Sequence, residues 1–506
     1  MFEFANMYTL TVFFLMVLFL IWRPRGINES LPPTVSAILI LLAGIVPLSG
    51  VWEILGIVSG PAITIISTIV MSIVLSSIGF FRWAAYNLVR RAKGSGILLY
   101  WYILLICFFM TLFFNNDGSI LITTPIILEI VRLLKLKPDQ QFPYLISGAL
   151  IATAASAPIA VSNLANLISM RIVGLDLNSY VSMMFVPSMI GLGVMALLLY
   201  HYFRREIPNQ ISLGPLSPGK KGEHGLNPGA ANHVKGHKES HKPKKIMPTT
   251  KKPSHLTVVH PQEVSPKPGL PIPPIKESKD ESQNQPKSKE QVVVIDRSMF
   301  KVCIGIVVLT RAGLFIGAGF HIPIEWISIF GALLLVGYRW WKKGVVPTDI
   351  LRQTPWHIIL FAFSIYVVVY ALHLIGLTER LVSYLWEPMS ANYLSASLIF
   401  GGAVTAMSNL FNNLPSVMIG TFALTSMGLD LTTMQIAYLA NIIGSDIGSL
   451  LTPMGTLATL IWMFLLRKNG MPVRWKDYLR ATIMIIPITA LISLISLYLW
   501  VQWMFV

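Results

Sequence analysis

Phe114-Asn115-Asn116-Asp117-Gly118-Ser119 breaks a long apolar run with two adjacent amides, a carboxylate, a glycine and a serine, and Phe411-Asn412-Asn413-Leu414-Pro415-Ser416 repeats the interruption near the other end of the chain. In hydrocarbon each unpaired backbone N–H or C=O costs several kcal/mol, so a helix broken at membrane depth survives only where it lines a cavity or is buried in protein. Each break is followed by a second one. The first half runs on to Ala157-Pro158-Ile159-Ala160-Val161-Ser162-Asn163-Leu164-Ala165-Asn166-Leu167-Ile168, the second to Thr452-Pro453-Met454-Gly455-Thr456-Leu457-Ala458-Thr459-Leu460-Ile461. Paired interruptions at corresponding places in two halves point to the midplane binding site of a transporter.

Composition identifies the solvent. Of 506 residues 54% are hydrophobic and 12% charged, which excludes a soluble domain with a polar exterior and marks an integral membrane protein. Cys107 and Cys303 both sit in apolar segments and read as core residues, not as a disulfide framework or a thiolate metal site. The net charge is +16, yet residues 204–297 hold 17 Lys and Arg against 9 Asp and Glu, so half the excess lies in one insert. Cytoplasmic loops beside anionic lipid account for that balance, and nucleic-acid binding does not. The first eight residues carry no basic n-region and Ile21-Trp22-Arg23-Pro24-Arg25 is no small-residue cleavage site. The first apolar run is therefore expected to stay as a membrane helix.

Runs long enough to cross a bilayer, about 17–25 residues, fall at 6–22, 31–50, 62–81, 142–170, 181–203, 298–319, 322–341, 356–376, 432–466 and 480–503. Two of them, 142–170 and 432–466, are overlong and contain the second pair of breaks. Two further stretches, 96–134 and 391–428, are folded in the middle by the first pair. The expected fold is an all-α polytopic membrane protein with about ten spanning helices, two re-entrant helical hairpins and two broken helices.

Basic residues orient this arrangement. Arg23, Arg25, Arg82, Arg90, Arg91, Lys93, Arg132, Lys135, Lys137, the 204–297 insert, Lys342, Lys343, Arg352, Arg467, Lys468, Arg474, Lys476 and Arg480 fall on one side, which the positive-inside rule makes the cytoplasm. The other side receives Arg171 and Arg380, near Asp176, Glu379 and Glu387, and both termini. The first hairpin then enters from the cytoplasm and the second from outside, so residues 1–203 and 298–506 are expected to form two inverted transmembrane halves. Pro61 and Gly79 match Pro355 and Gly376 at similar offsets. The charge rule does not separate a re-entrant hairpin from two full spans, since both begin and end on one side.

Between the halves, residues 204–297 contain 14 prolines and many Lys, Ser and Gln without apolar periodicity, the composition of a disordered cytoplasmic linker. Six histidines lie there: His224, His233, His237, His241, His255 and His260. Three are spaced by four, but Gly236 and Pro243 oppose a helix and the lysines repel cations. A solvated linker is the simpler reading than a metal sensor.

At the breaks, Asn and Ser side chains offer donors and acceptors without a fixed charge. Helix N-termini there favour anionic or hydroxyl-bearing ligands, and freed carbonyls suit a cation. Asp117 and Asp446 are the acids expected at membrane depth, where a carboxylate costs roughly 2.5–3.5 kcal/mol on insertion scales and is a functional candidate by default, here as a proton carrier. The competing roles are a helix cap for Asp117 and a hydrogen bond to a neighbouring helix for Asp446. His321, His357 and His373 lie near span ends and read as interfacial or packed; Trp340, Trp341, Trp500 and Trp503 read as an interfacial belt. With no zinc-protease, phosphate-loop or nucleophile-elbow signature, neither an enzyme nor an ATP-driven pump is expected, and no cofactor.

Taken in order, these motifs resemble the arsenite and antimonite efflux permeases, within an ion-transporter superfamily that also holds sodium/proton antiporters and dicarboxylate carriers. The likeness rests on Asn116-Asp117-Gly118 followed by Thr124-Pro125-Ile126, on Val161 through Ser169, Tyr202 through Pro208, Asn412 through Gly420, and Ala440 through Gly448 leading to Thr452 through Trp462. It covers nearly the whole chain except 204–297. It implies a multi-pass cell-membrane carrier, surrounded by lipid, that exports the trivalent metalloid hydroxide in exchange for protons. The solute would sit in a cage of Asn115, Asn116, Ser119, Ser162, Asn163, Asn166, Asn412, Asn413, Ser416, Thr452, Thr456 and Thr459, with Asp117 and Asp446 as proton-linked acids. Some relatives work with a cytoplasmic ATPase, and a homodimer is compatible with the reading.

Two departures stand out: Thr153 stands where close relatives are expected to place an acid, and Leu450 where a lysine is expected. Their joint loss removes a charge pair without leaving one buried ion unpaired. The competing functions are a sodium/proton antiporter or organic-anion carrier on the same scaffold, and a membrane receptor that senses through the His-rich linker. An anion site would recruit Lys or Arg, and the two tips hold none.

Overall fold

The computed structural model describes residues 2–22, 27–211 and 297–505. Nineteen α-helices follow one another in them: α1 (Phe2–Trp22), α2 (Leu31–Leu42), α3 (Leu48–Ser77), α4 (Phe80–Arg91), α5 (Gly96–Phe113), α6 (Asn116–Leu133), α7 (Pro138–Ala154), α8 (Leu164–Val173), α9 (Leu177–Phe203), α10 (Arg297–Gly319), α11 (Ile324–Lys343), α12 (Thr348–Gln353), α13 (His357–Leu374), α14 (Leu377–Ser390), α15 (Tyr393–Phe411), α16 (Asn413–Ser426), α17 (Leu431–Asp446), α18 (Leu457–Lys468) and α19 (Trp475–Phe505). Short 3-10 turns at Ala160–Ser162 and Gly448–Leu451 fill the second pair of breaks. The protein is an all-helical, polytopic membrane protein.

By length and apolar composition eight segments among the described residues can cross a bilayer: α1, α3, α5, α9, α10, the pair α12–α13, α15 and α19. Four of the ten expected runs are missing from these eight and two hairpin arms are added: the broken runs 142–170 and 432–466 give no single helix of that length, 31–50 and 322–341 fall short, and α5 and α15 qualify. The run 31–50 is cut at Leu42, so α2 has only 12 residues, and 322–341 falls short because Glu325 and Arg339 dilute α11. Conversely, α5 and α15, the first arms of the expected hairpins, are apolar helices of 18 and 19 residues. At 1.5 Å per residue each covers roughly 27–29 Å, close to the thickness of the hydrocarbon core. The overlong runs split as read: α7 with α8, and α17 with α18, are the pieces of two broken helices.

The same order of elements recurs in the two halves. In each, a long helix is followed by a strongly amphipathic one (α4, α14), then by two helices around an asparagine break (α5–α6, α15–α16), a broken pair (α7–α8, α17–α18) and a long closing helix (α9, α19). Both amphipathic helices begin after a left-handed glycine, Gly79 with φ 82° and Gly376 with φ 80°, a conformation that any side chain would strain. Pro61 lies inside the continuous α3, whereas Pro355 separates α12 from α13.

Packing sorts the helices into two groups. One, the frame, has α3 against α11, α10 against α11, α13 against α2 and α3, and α1 against α2. The other, the inner bundle, has α5 and α6 against α7, α15 and α16 against α17, and α9 along α19. Within the bundle the halves exchange partners: α6 of the first packs on α18 of the second, and α16 of the second on α8 of the first. Large apolar side chains such as Leu309, Phe330, Leu333 and Ile483 remain exposed on the outside, as a lipid-facing surface requires.

Residues 204–211, read as the start of the linker, continue past α9 as an ordered tail. Gln210 bridges to Ser95, and Ile211 donates its N–H to Gly94 O at 2.7 Å. The rest of the linker, with its six histidines, lies outside the described residues.

Candidate functional site

Each asparagine break is made by very few residues. Phe114 and Asn115 separate α5 from α6, and Asn412 alone separates α15 from α16. Asn412 sits at φ 77° and ψ 155°, a region that is almost exclusively glycine's and costs of order 1–3 kcal/mol for other residues. Its Nδ2 donates to Met454 O at 3.0 Å, tying the tip to the second break of its own half. In the first tip Asn116 Oδ1 accepts the N–H of Asp117 at 2.8 Å. Asn115 Oδ1 is buried without a partner.

The two tips meet. Asn115, Asn116, Asp117, Asn163, Asn412 and Asn413 all border one cavity of about 320 Å³. Ile65 and Ile69 of α3 and Ile358 and Phe361 of α13 form its frame side; Leu457, Ala458, Ile461, Phe464 and Leu465 of α18 form its bundle side. The cavity therefore lies between the two groups of helices. Asp117 is half-buried there, in the first turn of α6, where the helix dipole favours its negative charge. No hydrogen bond to its carboxylate is made among the described residues.

Asp446 is the polar centre behind the wall. Only 1% exposed, it accepts from Ser156 Oγ at 2.7 Å, Asn163 Nδ2 at 2.8 Å and Asn166 Nδ2 at 2.7 Å. All three donors come from the other half's broken helix. Of the three, Asn163 alone also borders the cavity, so it connects solute space to carboxylate. Tyr180 and Tyr438 enclose the cluster and donate to Ala157 O and Asn166 O.

The remaining candidates lie behind the cavity surface. Ser119 is fully buried with an unpartnered Oγ; Ser162 donates to Leu112 O; Ser416 donates to Asn412 O and braces the second tip. Thr452 bonds Asn409, while Thr456 caps α18 and shares a hydrogen bond with Thr459. Thr153 turns its hydroxyl onto Ala149 O, and the carbonyl of Leu450 accepts from Tyr478. Neither position holds a charge.

Two residues at the site, Glu29 and Arg311, escaped the sequence reading. His357, expected to be interfacial or packed, borders the cavity and pairs with Glu29 at 3.1 Å, the two side chains being 33% and 16% exposed. Arg311 of α10 reaches the first tip. Arg171, expected near Asp176, pairs instead with Glu325 at 3.9 Å, and Asp176 caps α9. His373 is packed as read, stacked on Phe422 with ring centroids 5.1 Å apart.

Comparison with known proteins places this architecture. A family model described as citrate transporter matches residues 16–444. The chain belongs to that family. It is also similar to a "Putative arsenical pump membrane protein" of Bacillus subtilis (strain 168), 42% identical over 493 residues that span 97% of this chain and 99% of the relative. An "Arsenical pump membrane protein" of Escherichia coli (strain K12) is 28% identical over 481 residues, 94% of this chain and 95% of the relative. A more distant likeness, 22% over 218 residues, joins it to an uncharacterized transporter of Mycobacterium tuberculosis, covering 42% of this chain and 49% of that one. The protein is thus a multi-pass transporter of the cell membrane, within the ion-transporter superfamily that the motifs resemble.

Proposed function

We propose that the protein is a secondary active exporter of arsenite and antimonite, which takes the neutral trivalent hydroxide from the cytoplasm and exchanges it for protons as two inverted halves alternate their exposure. The observation that carries this reading is the chemistry of the cavity. Five asparagines and two carboxylates border it, and among the described residues no Lys or Arg does. Amides match a neutral, hydroxyl-rich solute. A multiply charged carboxylate would instead meet Glu29 and Asp117 without a cation to pair it, which disfavours an organic anion such as the one the family is described by. Neither Cys107 nor Cys303 borders the cavity, so recognition rests on hydrogen bonds and not on thiolates.

Two carboxylates supply the proton side. Asp117 faces the solute space, and Asp446 is joined to it through Asn163. Glu29 and His357, which border the cavity and are partly exposed, lie close in sequence to Arg25 and Arg352, and the α18 wall runs on into Arg467 and Lys468. Basic residues at that end support a cytoplasmic opening. In this reading 1–203 and 298–506 are the inverted halves and 204–297 joins them. One chain holds the whole cavity, so neither an ATPase partner nor a second copy is needed to complete it.

Uptake of radiolabelled arsenite into everted vesicles under an imposed proton gradient tests the proposal, with sodium and dicarboxylates run in parallel. Uptake driven by an acid interior and abolished by an uncoupler supports it. Uptake that follows sodium, or a dicarboxylate in place of arsenite, would overturn it.

A further inference from the structure

Arg311 lies in the apolar stretch of α10 that follows Lys301, the one charged residue between Val302 and Gly319, and is only 7% exposed. Its Nε donates to Phe113 O at 2.7 Å and its Nη2 to Phe114 O at 2.8 Å. These are the carbonyls of the last residue of α5 and of its C-cap, which the break leaves without intrahelical partners at the negative end of the helix dipole. Arg311 forms no ion pair among the described residues, and its Nη1 is buried with no partner. A guanidinium never sheds its charge in a protein, so it stays in this buried place only because the fork and the helix end match it.

The position matters more than the bond count. Arg311 belongs to the frame, and Phe114 directly precedes Asn115, which borders the cavity between frame and bundle. The corresponding contact in the other half is apolar: Phe13 of α1 packs edge-on against Phe411, with ring centroids 5.6 Å apart. From the frame, one tip is therefore held by a charged fork and the other by ring contact.

We propose that Arg311 is a positioning residue for the first tip: it holds Asn115 and Asn116 at the cavity in the arrangement described here and releases them when the cavity closes to this side. This rests on the alternating-access reading above. A contact made in one arrangement and not in the other biases the equilibrium by its differential free energy, so weakening it should depopulate the open arrangement.

The test reads exposure, not transport. Ile461, which borders the cavity, is replaced by Cys in the full chain with Cys107 and Cys303 changed to Ala. Its labelling by a membrane-impermeant maleimide is followed in everted vesicles for the parent, Arg311→Lys and Arg311→Met. The labelling rate is expected to fall roughly tenfold in Arg311→Met, the factor that 1.4 kcal/mol of lost bias produces, and by less in Arg311→Lys, whose single ammonium does not span both carbonyls. Equal rates in variants that elute normally on size exclusion would overturn the proposal. Should Arg311→Met fail to insert, Arg311→Lys against the parent decides alone. In export assays the same variants should raise KM more than they lower kcat. If arsenite is not transported at all, the transport reading falls while the labelling still reports on the latch.

Discussion

Asn163 donates from Nδ2 to Asp446 Oδ1 across 2.8 Å while its own Oδ1 accepts the N–H of Ala165 at 3.0 Å, so one amide both starts α8 and binds it to the carboxylate that ends α17. The second breaks of the two halves are thereby a single polar unit. A proton arriving on Asp446 would remove an acceptor from Ser156, Asn163 or Asn166 and loosen one half's break from the other's. That links protonation to the cavity wall without any charged intermediary.

Asp446→Asn keeps the volume and replaces an acceptor of three donors with a group that must itself donate. Proton-coupled export should drop by about a hundredfold or more, the scale for removing a positioned proton carrier. Membrane insertion should stay nearly intact, with a stability loss of about 1–3 kcal/mol. Export assayed over a pH series, with thermal unfolding in detergent, checks both. Unimpaired export across the series would remove Asp446 from the mechanism.

Asn163→Ala loses the helix cap, about 1 kcal/mol, and one donor to a buried carboxylate, a further ~1–3 kcal/mol. Asn163→Ser restores the cap but is too short to span to Asp446. The serine variant should therefore recover part of the melting temperature and little of the transport. Equal recovery of both would mean that the cap, and not the link to Asp446, is what transport needs.

Asn412→Gly exchanges the hydrogen bond to Met454 O, worth about 1 kcal/mol, for relief of a backbone conformation costing a similar amount. Thermal stability should change little while KM for the solute rises, because the cavity loses an amide. A fall in melting temperature with KM unchanged would contradict this assignment.

Replacing 213–294 by a Gly/Ser segment of equal length keeps the pairing of Ile211 with Gly94 and removes all six linker histidines. Transport should persist at near-parental rate in the vesicle assay. A loss restored by metal ions would instead favour a sensing role for the insert.

Much of the site was readable along the chain. A broken apolar run carries its own reason for being broken, which is why Asn115, Asn116, Asn163, Asn412 and Asn413 stood out before any fold was known, and all five border the cavity. Ser119, Ser416, Thr456 and Thr459 carry the same local signal, yet all four lie behind that surface, Ser119 with an unpartnered hydroxyl and the others bracing backbone or one another, because the helical turn that exposes one residue buries the next. His357 was read as interfacial or packed, and Glu29 was passed over, since polar residues near span ends usually meet headgroups. Arg311 had a signal that was available: a solitary cation amid apolar residues at membrane depth is a functional candidate by itself.

The amino-acid sequence alone determined that this chain lives in a membrane, where its helices break, and that the breaks come in two matching sets, because hydrocarbon tolerates uncompensated backbone only at such places. Only the tertiary structure decided which breaks face one another. The exchange of partners between halves, α6 on α18 and α16 on α8, packs together helices that lie more than 200 positions apart in the chain. No periodicity encodes that pairing, since it follows from how whole helices pack and not from the order of residues within them.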